Sequence, residues 1–141
     1  MSVQYTHRIK SNFYTIKRVM VIKAIVVDDN KDILQVFVEL LQISKIEVVG
    51  TGKNGKEAAE LYQKHRPDVV FMDADMPTYD GLYGLAKIRE YDPKSTIVLV
   101  TGSINVENEL DNCNANAVLP KPINMDKIMS VVNKFAIQQN Y

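Results

Sequence analysis

Five short runs of apolar, mostly β-branched residues recur at near-regular intervals along the chain: "KAIVV" (23–27), "IEVVG" (46–50), "DVVFM" (68–72), "TIVLV" (96–100) and "AVL" (117–119). They are close to continuously hydrophobic and do not alternate with polar residues, the pattern of strands covered by helices on both faces. The segments between them carry helical spacing. In 32–43, Ile33, Val36, Phe37, Leu40 and Leu41 fall on one predicted face. Asn54 is placed to cap a helix over 54–65, which His65-Arg66-Pro67 should close, because proline disfavours helical geometry in the residue before it. A third helix over 82–91 offers Leu82, Leu85, Ala86 and Ile88, and a last one over about 124–138 offers Met125, Ile128, Met129, Val132 and Phe135. "INVENELDNC" (104–113) is a weaker helix with few apolar anchors. Alternating β and α elements imply a three-layer α/β domain with a parallel sheet and right-handed crossovers.

At 141 residues the chain has the length of one domain. Hydrophobic content of 46% and charged content of 24% are those of a soluble globular protein. The formal charge is zero, which makes no general case for nucleic acid or a membrane surface. The charge is unevenly spread: residues 1–22 hold Arg8, Lys10, Lys17 and Arg18 and no acid, so the remaining residues carry the balancing negative charge. Residues 1–21 are therefore read as a basic N-terminal extension, a disordered arm or a short added helix, ahead of a domain over 22–141. The single cysteine, Cys113, excludes an internal disulfide and a cysteine-based zinc site and suits a reducing compartment. "VMVIKAIVV" is too short, and too interrupted by Lys23, to span a bilayer, and no cleavage site follows it. A cytoplasmic location is expected.

In open α/β sheets, ligands bind beyond the carboxyl ends of the strands. Here the first strand ends on Asp28-Asp29, the third on Asp73 with Asp75 beyond, the fourth on Thr101-Gly102 and the fifth on Lys121-Pro122. A parallel sheet brings all of these to one rim. Carboxylates gathered there repel one another unless a cation offsets them. Oxygen ligands alone, with neither His nor Cys, suit Mg²⁺. An acidic metal pocket beside one lysine and one hydroxyl is built to hold a phosphoryl group. Singly, each residue has a plainer reading: Asp28 or Asp29 as a helix cap, Thr101 as a strand end, Lys121 as a solvated surface lysine.

With these residues on the page, the chain resembles a two-component response-regulator receiver domain of the single-domain, chemotaxis-regulator type, over roughly residues 22–139. "AIVVDDN", "DVVFMDADMPTYDGL", "IVLVTGS" and "AVLPKP" stand in that family's order. The resemblance implies a flavodoxin-like (βα)5 fold with strand order 2-1-3-4-5. It implies that Asp73 is the phosphoacceptor, receiving a phosphoryl group from the phosphohistidine of a sensor histidine kinase or a phosphotransfer protein. Asp29, Asp73 and the backbone carbonyl of Asp75 would hold Mg²⁺, with Asp28 acting mainly through a metal-bound water. Lys121 would contact a phosphoryl oxygen, Thr101 would be the switch hydroxyl, and Lys121-Pro122 would be a cis peptide. Such a domain is not an enzyme in the ordinary sense, although it promotes its own phosphorylation and dephosphorylation. Output through protein partners is expected, with no dedicated DNA-binding domain, no membrane segment, and a monomeric or weakly dimeric state linked to phosphorylation.

The sequence departs from the family pattern at three places. Val118 stands where an aromatic residue usually partners the switch hydroxyl. Pro120 precedes Lys121 and fits only the end of an edge strand. "CNANA" replaces a glycine-containing turn, with Asn114 or Asn116 expected in its left-handed position. Two other readings compete: a phosphorylation-independent interaction module on the same fold, and a haloacid-dehalogenase-type phosphatase using Asp73-Ala74-Asp75 as its D-x-D pair.

Overall fold

The computed structural model describes residues 21–105, 108, 111 and 113–139. The basic extension, and most of the helix expected over 104–113, lie outside them. The elements run β1 (Lys23–Val27), α1 (Lys31–Ile43), β2 (Glu47–Gly52), α2 (Gly55–His65), β3 (Val69–Asp73), α3 (Gly81–Tyr91), β4 (Ile97–Thr101), β5 (Ala117–Pro120) and α4 (Met125–Gln139). The strands form one sheet in the order β2-β1-β3-β4-β5, every pairing parallel.

The unbroken hydrophobicity of the strands follows from the two core layers they serve. Ala24, Val26, Val69, Phe71, Val98 and Val100 face one layer, where Phe37 and Leu41 of α1 meet Ile128, Val131 and Val132 of α4. Ile25, Val27, Val70, Met72, Ile97 and Leu99 face the other, with Ala58 and Tyr62 of α2 and Leu85 and Ile88 of α3. Phe37 rests on Phe71 with ring centroids 5.2 Å apart, an arrangement favourable for aromatic pairs.

Side chains start the helices just past the strand ends. Asn30 accepts from the N–H groups of Asp32 and Ile33, and Asp80 from that of Tyr83. The Asn54 Oδ1 accepts the Glu57 N–H at the start of α2, and the Asn54 amide donates to the Glu57 carboxylate, so the capping expected of Asn54 is observed. The helix α2 ends where Arg66 turns left-handed (φ 47°) ahead of Pro67. Arg66 is held there by a 2.8 Å bond to the Tyr91 hydroxyl and lies over that ring at 4.6 Å.

Some expected contacts differ. Ile33 and Val36 are 37% and 54% exposed, because the row that packs on the sheet is Leu34, Phe37, Val38 and Leu41, one step around the helix. Leu82 is exposed as well, since α3 turns Leu85, Ile88 and two glycines inward. Neither Asn114 nor Asn116 has positive φ. The Asn116 side-chain carbonyl instead accepts from the Ile97 N–H (2.8 Å) and from Arg89 (2.6 Å), tying the turn before β5 to β4 by side-chain hydrogen bonds.

Two glycines allow the close approaches that set the rim. A Cβ on Gly55 would overlap the Asp80 carbonyl oxygen and lie 2.8 Å from the Gly84 backbone nitrogen, where α2 crosses the start of α3. A Cβ on Gly81 would lie 2.5 Å from the carbonyl oxygen of Asp73 itself. Replacing Gly55 with Ala should therefore lower unfolding stability by about 1–3 kcal/mol, the usual cost of overpacking against backbone. Denaturant melts with an unchanged slope would check this.

Candidate functional site

The rim assembles as the strand ends imply. Asp28 is 5% exposed and Asp73 4%, while Thr101 is fully buried. Carboxylate oxygens of Asp28, Asp29 and Asp73 lie within 4.8 Å of one another, with Asp29 the exposed member. Lys121 Nζ sits 3.2 Å from Asp73 Oδ2 and 3.7 Å from Asp28 Oδ2. Its side chain is 27% exposed.

Backbone donors supply what Lys121 does not. The Asn30 N–H donates to Asp28 Oδ1 (2.9 Å), and the Asp75 N–H to Asp73 Oδ1 (3.2 Å). These hydrogen bonds stabilise the ionised carboxylates. Burial nonetheless pushes the Asp28 carboxyl above its ordinary value, with the neighbouring charges of Asp73 and Asp29 adding to the rise. The Asn30 N–H and the Lys121 ammonium pull the other way. Two buried acids and a third at the surface, with no sulfur or imidazole in the cluster, fit a hard divalent cation such as Mg²⁺.

Thr101 ends β4, one residue beyond Val100, which lies opposite Asp73 in the sheet. Its Oγ1 accepts from the Ser103 N–H at 3.1 Å, and its carbonyl accepts from the Lys121 N–H at 2.8 Å. Lys121-Pro122 is cis, as expected, and Pro120 closes β5, an edge strand. Val118 lies beside Leu99 in the sheet and is buried in the core layer that Cys113 and Ala115 flank. The position expected for a rotating aromatic is thus a small core residue. Asp75 is exposed, and it reaches Asp73 through its backbone N–H.

Sequence reasoning missed the residues that hold the acids in place. Asn30 both caps α1 and donates to Asp28, and Gly52 accepts the Asp28 N–H at 3.0 Å. Thr78 has φ 68°, and a Tyr79 N–H to Pro77 carbonyl bond of 2.8 Å closes a tight turn around it. Asn30, as the cap between Asp28-Asp29 and a helix, had a readable signal; Thr78 had none. A cleft of about 560 Å³ opens beside the cluster between α1 and the segment after β5, lined by Ile33, Val36, Leu40, Lys121, Pro122 and Ile123 among others.

A doubly wound parallel sheet with an acid cluster and a lysine at its carboxyl rim is a setting for phosphoryl chemistry. The chain belongs to the response regulator receiver domain family, whose model matches residues 24–133. It is 30% identical over 114 residues to chemotaxis protein CheY of Bacillus subtilis (strain 168), an alignment covering 79% of this chain and 95% of that protein. The REC domain of AraT, a response regulator from Geobacillus stearothermophilus, superposes with a TM-score of 0.74 at 30% identity, covering 86% of this chain and 97% of that one. A chain of the CheX-CheY-BeF3-Mg+2 complex from Borrelia burgdorferi shares the fold, with a TM-score of 0.72 at 24% identity over 81% of this chain and 89% of that one. The matched domain is a phosphoacceptor of two-component signalling rather than a classical enzyme. Among the described residues, no helix is long and apolar enough to cross a membrane.

The raised Asp28 pKa has a definite consequence for stability. A carboxyl group that is harder to ionise folded than unfolded adds no penalty below its unfolded pKa. The penalty grows as pH rises through the folded value and persists above it. Asp28→Asn should therefore melt higher than the wild type at neutral pH without metal, with the gap closing in acid. Saturating Mg²⁺ should reverse the order, because the variant loses a carboxylate from the cluster. Calorimetry across pH, with and without Mg²⁺, would test both arms.

Proposed function

We propose that Asp73 is the residue phosphorylated, with the phosphohistidine of a sensor histidine kinase or a phosphotransfer protein as donor. The observation that carries this reading is the Lys121 ammonium 3.2 Å from an otherwise buried Asp73 carboxylate. An Asp73 oxygen attacks phosphorus in line, the O–P bond forms as the P–N bond breaks, and the electron pair leaves on the donor imidazole. Lys121 exchanges its pairing with Asp73 for a phosphoryl oxygen. Thr101, whose oxygen accepts the Ser103 N–H, keeps its own proton to donate to another phosphoryl oxygen and acts as the switch hydroxyl. Asp29, Asp73 and the Asp75 carbonyl would hold Mg²⁺ and Asp28 would reach it through water; bound there, the ion neutralises charge on the transferring group.

Phosphorylation shifts an existing two-state equilibrium through the loop after Thr101. With Val118 in the aromatic position, the shift passes through backbone and core packing, not through ring rotation. The receiver occupies 22–141 in the cytoplasm, residues 1–21 are an extension of it, and its output runs through a protein partner. The family match starting at residue 24 supports that boundary.

Incubation with Mg²⁺ and acetyl phosphate should add one acid-stable, base-labile phosphoryl group, detected by mass spectrometry. Asp73→Asn should abolish it; persistence of the group in that variant would refute the assignment.

The donor must approach over the surface next to Asp73, and the apolar cleft lined by Ile33 and Val36 is continuous with that surface. Val36→Asp would place a carboxylate in the contact. It should slow transfer from a phosphohistidine protein by about tenfold or more, the usual scale for truncating or charging a central contact. The acetyl phosphate rate should stay unchanged.

A further inference from the structure

Lys127 lies in the first turn of α4, where a cation faces the positive end of the helix dipole. Asn124 caps that turn, accepting the Lys127 N–H at 2.9 Å. Three residues after such a cap, a Glu or Gln is the favoured residue; Glu57 stands there after Asn54 in this same chain and accepts from the Asn54 side-chain amide at 3.3 Å. A lysine there forgoes that pair and takes other partners. It has two: the Pro122 carbonyl at 2.9 Å and the Pro120 carbonyl at 3.3 Å. These carbonyls stand on either side of Lys121.

The run Pro120-Lys121-Pro122 is poor in means of fixing itself. Neither proline has an N–H, and the one backbone donor, that of Lys121, goes to the Thr101 carbonyl. Beyond Pro120 the run leaves an edge strand. Lys127, half-buried beneath it, is the side chain that clasps the run from the helix side.

We propose that Lys127 is a positioning residue for Lys121, holding the two flanking carbonyls so that the Lys121 ammonium stays on Asp73. This rests on the reading of Asp73 and Lys121 given above. A flexible four-carbon side chain such as that of Lys121 places its charge only as well as its backbone is held. Lys127 touches neither the acids nor the phosphoryl group. It acts through the peptide that carries the lysine.

The test is a double-mutant cycle read by the rate of phosphorylation from acetyl phosphate. Lys127→Met should slow the reaction by about tenfold, the scale of a small misplacement of a reacting group. Mg²⁺ affinity should be unaltered. Lys127→Arg, which can still donate to two carbonyls, should restore most of the rate. In a Lys121→Ala background, Lys127→Met should have almost no further effect. An undiminished loss in that background would overturn the proposal while leaving Asp73 as the acceptor. So would an Arg variant as slow as the Met variant. If Lys127→Met does not fold, Lys127→Gln, which can reach one carbonyl at most, takes its place in the same cycle. Failure of the acceptor assignment would instead appear as phosphorylation of Asp73→Asn.

Discussion

Two carboxylates, Asp28 and Asp73, are taken almost entirely out of water within reach of each other, and the rest of the molecule is arranged around that difficulty. Burial disfavours ionisation and neighbouring like charges add to it, and the Asp28 carboxyl is pushed up by both, by burial foremost. The offsetting groups are few: one lysine, two backbone N–H groups and the cation that such a cluster suits. The site therefore holds charge incompletely balanced by the protein itself. Adding a phosphoryl group or a cation changes that balance, and this gives the domain something to switch.

Such an arrangement needs a rim where strands end together and the backbone turns away. The parallel sheet provides it: β1, β3, β4 and β5 end side by side, and the Asn30 and Asp75 N–H groups after β1 and β3 and the Lys121 side chain after β5 reach the acids. Helix caps do part of this work. Asn30 starts α1 and fixes Asp28 in the same turn, so helix initiation and site geometry are one event. Gly81 lets the start of α3 pass close against the Asp73 carbonyl. On the β5 side the prolines remove donors, and α4 holds the run through Lys127 instead. Below the rim, both faces of the sheet are conventionally packed, which keeps the strand ends in register.

The strands were legible to within a residue or two because burial on both faces leaves an unbroken hydrophobic signature. The helices were legible through their caps and closing signals, as at Asn54 and at Arg66-Pro67. Faces were read less well. Ile33, Val36 and Leu82 share helical spacing with core residues yet stay exposed, because spacing alone does not say which neighbouring row meets the sheet. The turn before β5 was misread for a different reason: Asn116 can satisfy its neighbours with its amide as readily as it can adopt a left-handed backbone, and local sequence does not choose.

Element order, sheet type and the residue types that meet at the strand ends were already legible in the chain's own letters, since periodicity and strand-end chemistry are local properties. How those residues share one charge environment came from the folded arrangement: which acids are buried, which stays in water, that Lys121 pairs with Asp73 more closely than with Asp28, and that Lys127 donates to the carbonyls on either side of Lys121. The physical reason is that electrostatic strength depends on separation and on exclusion of water. Both are set by chain segments far apart in sequence, and neither is a property of any one of them.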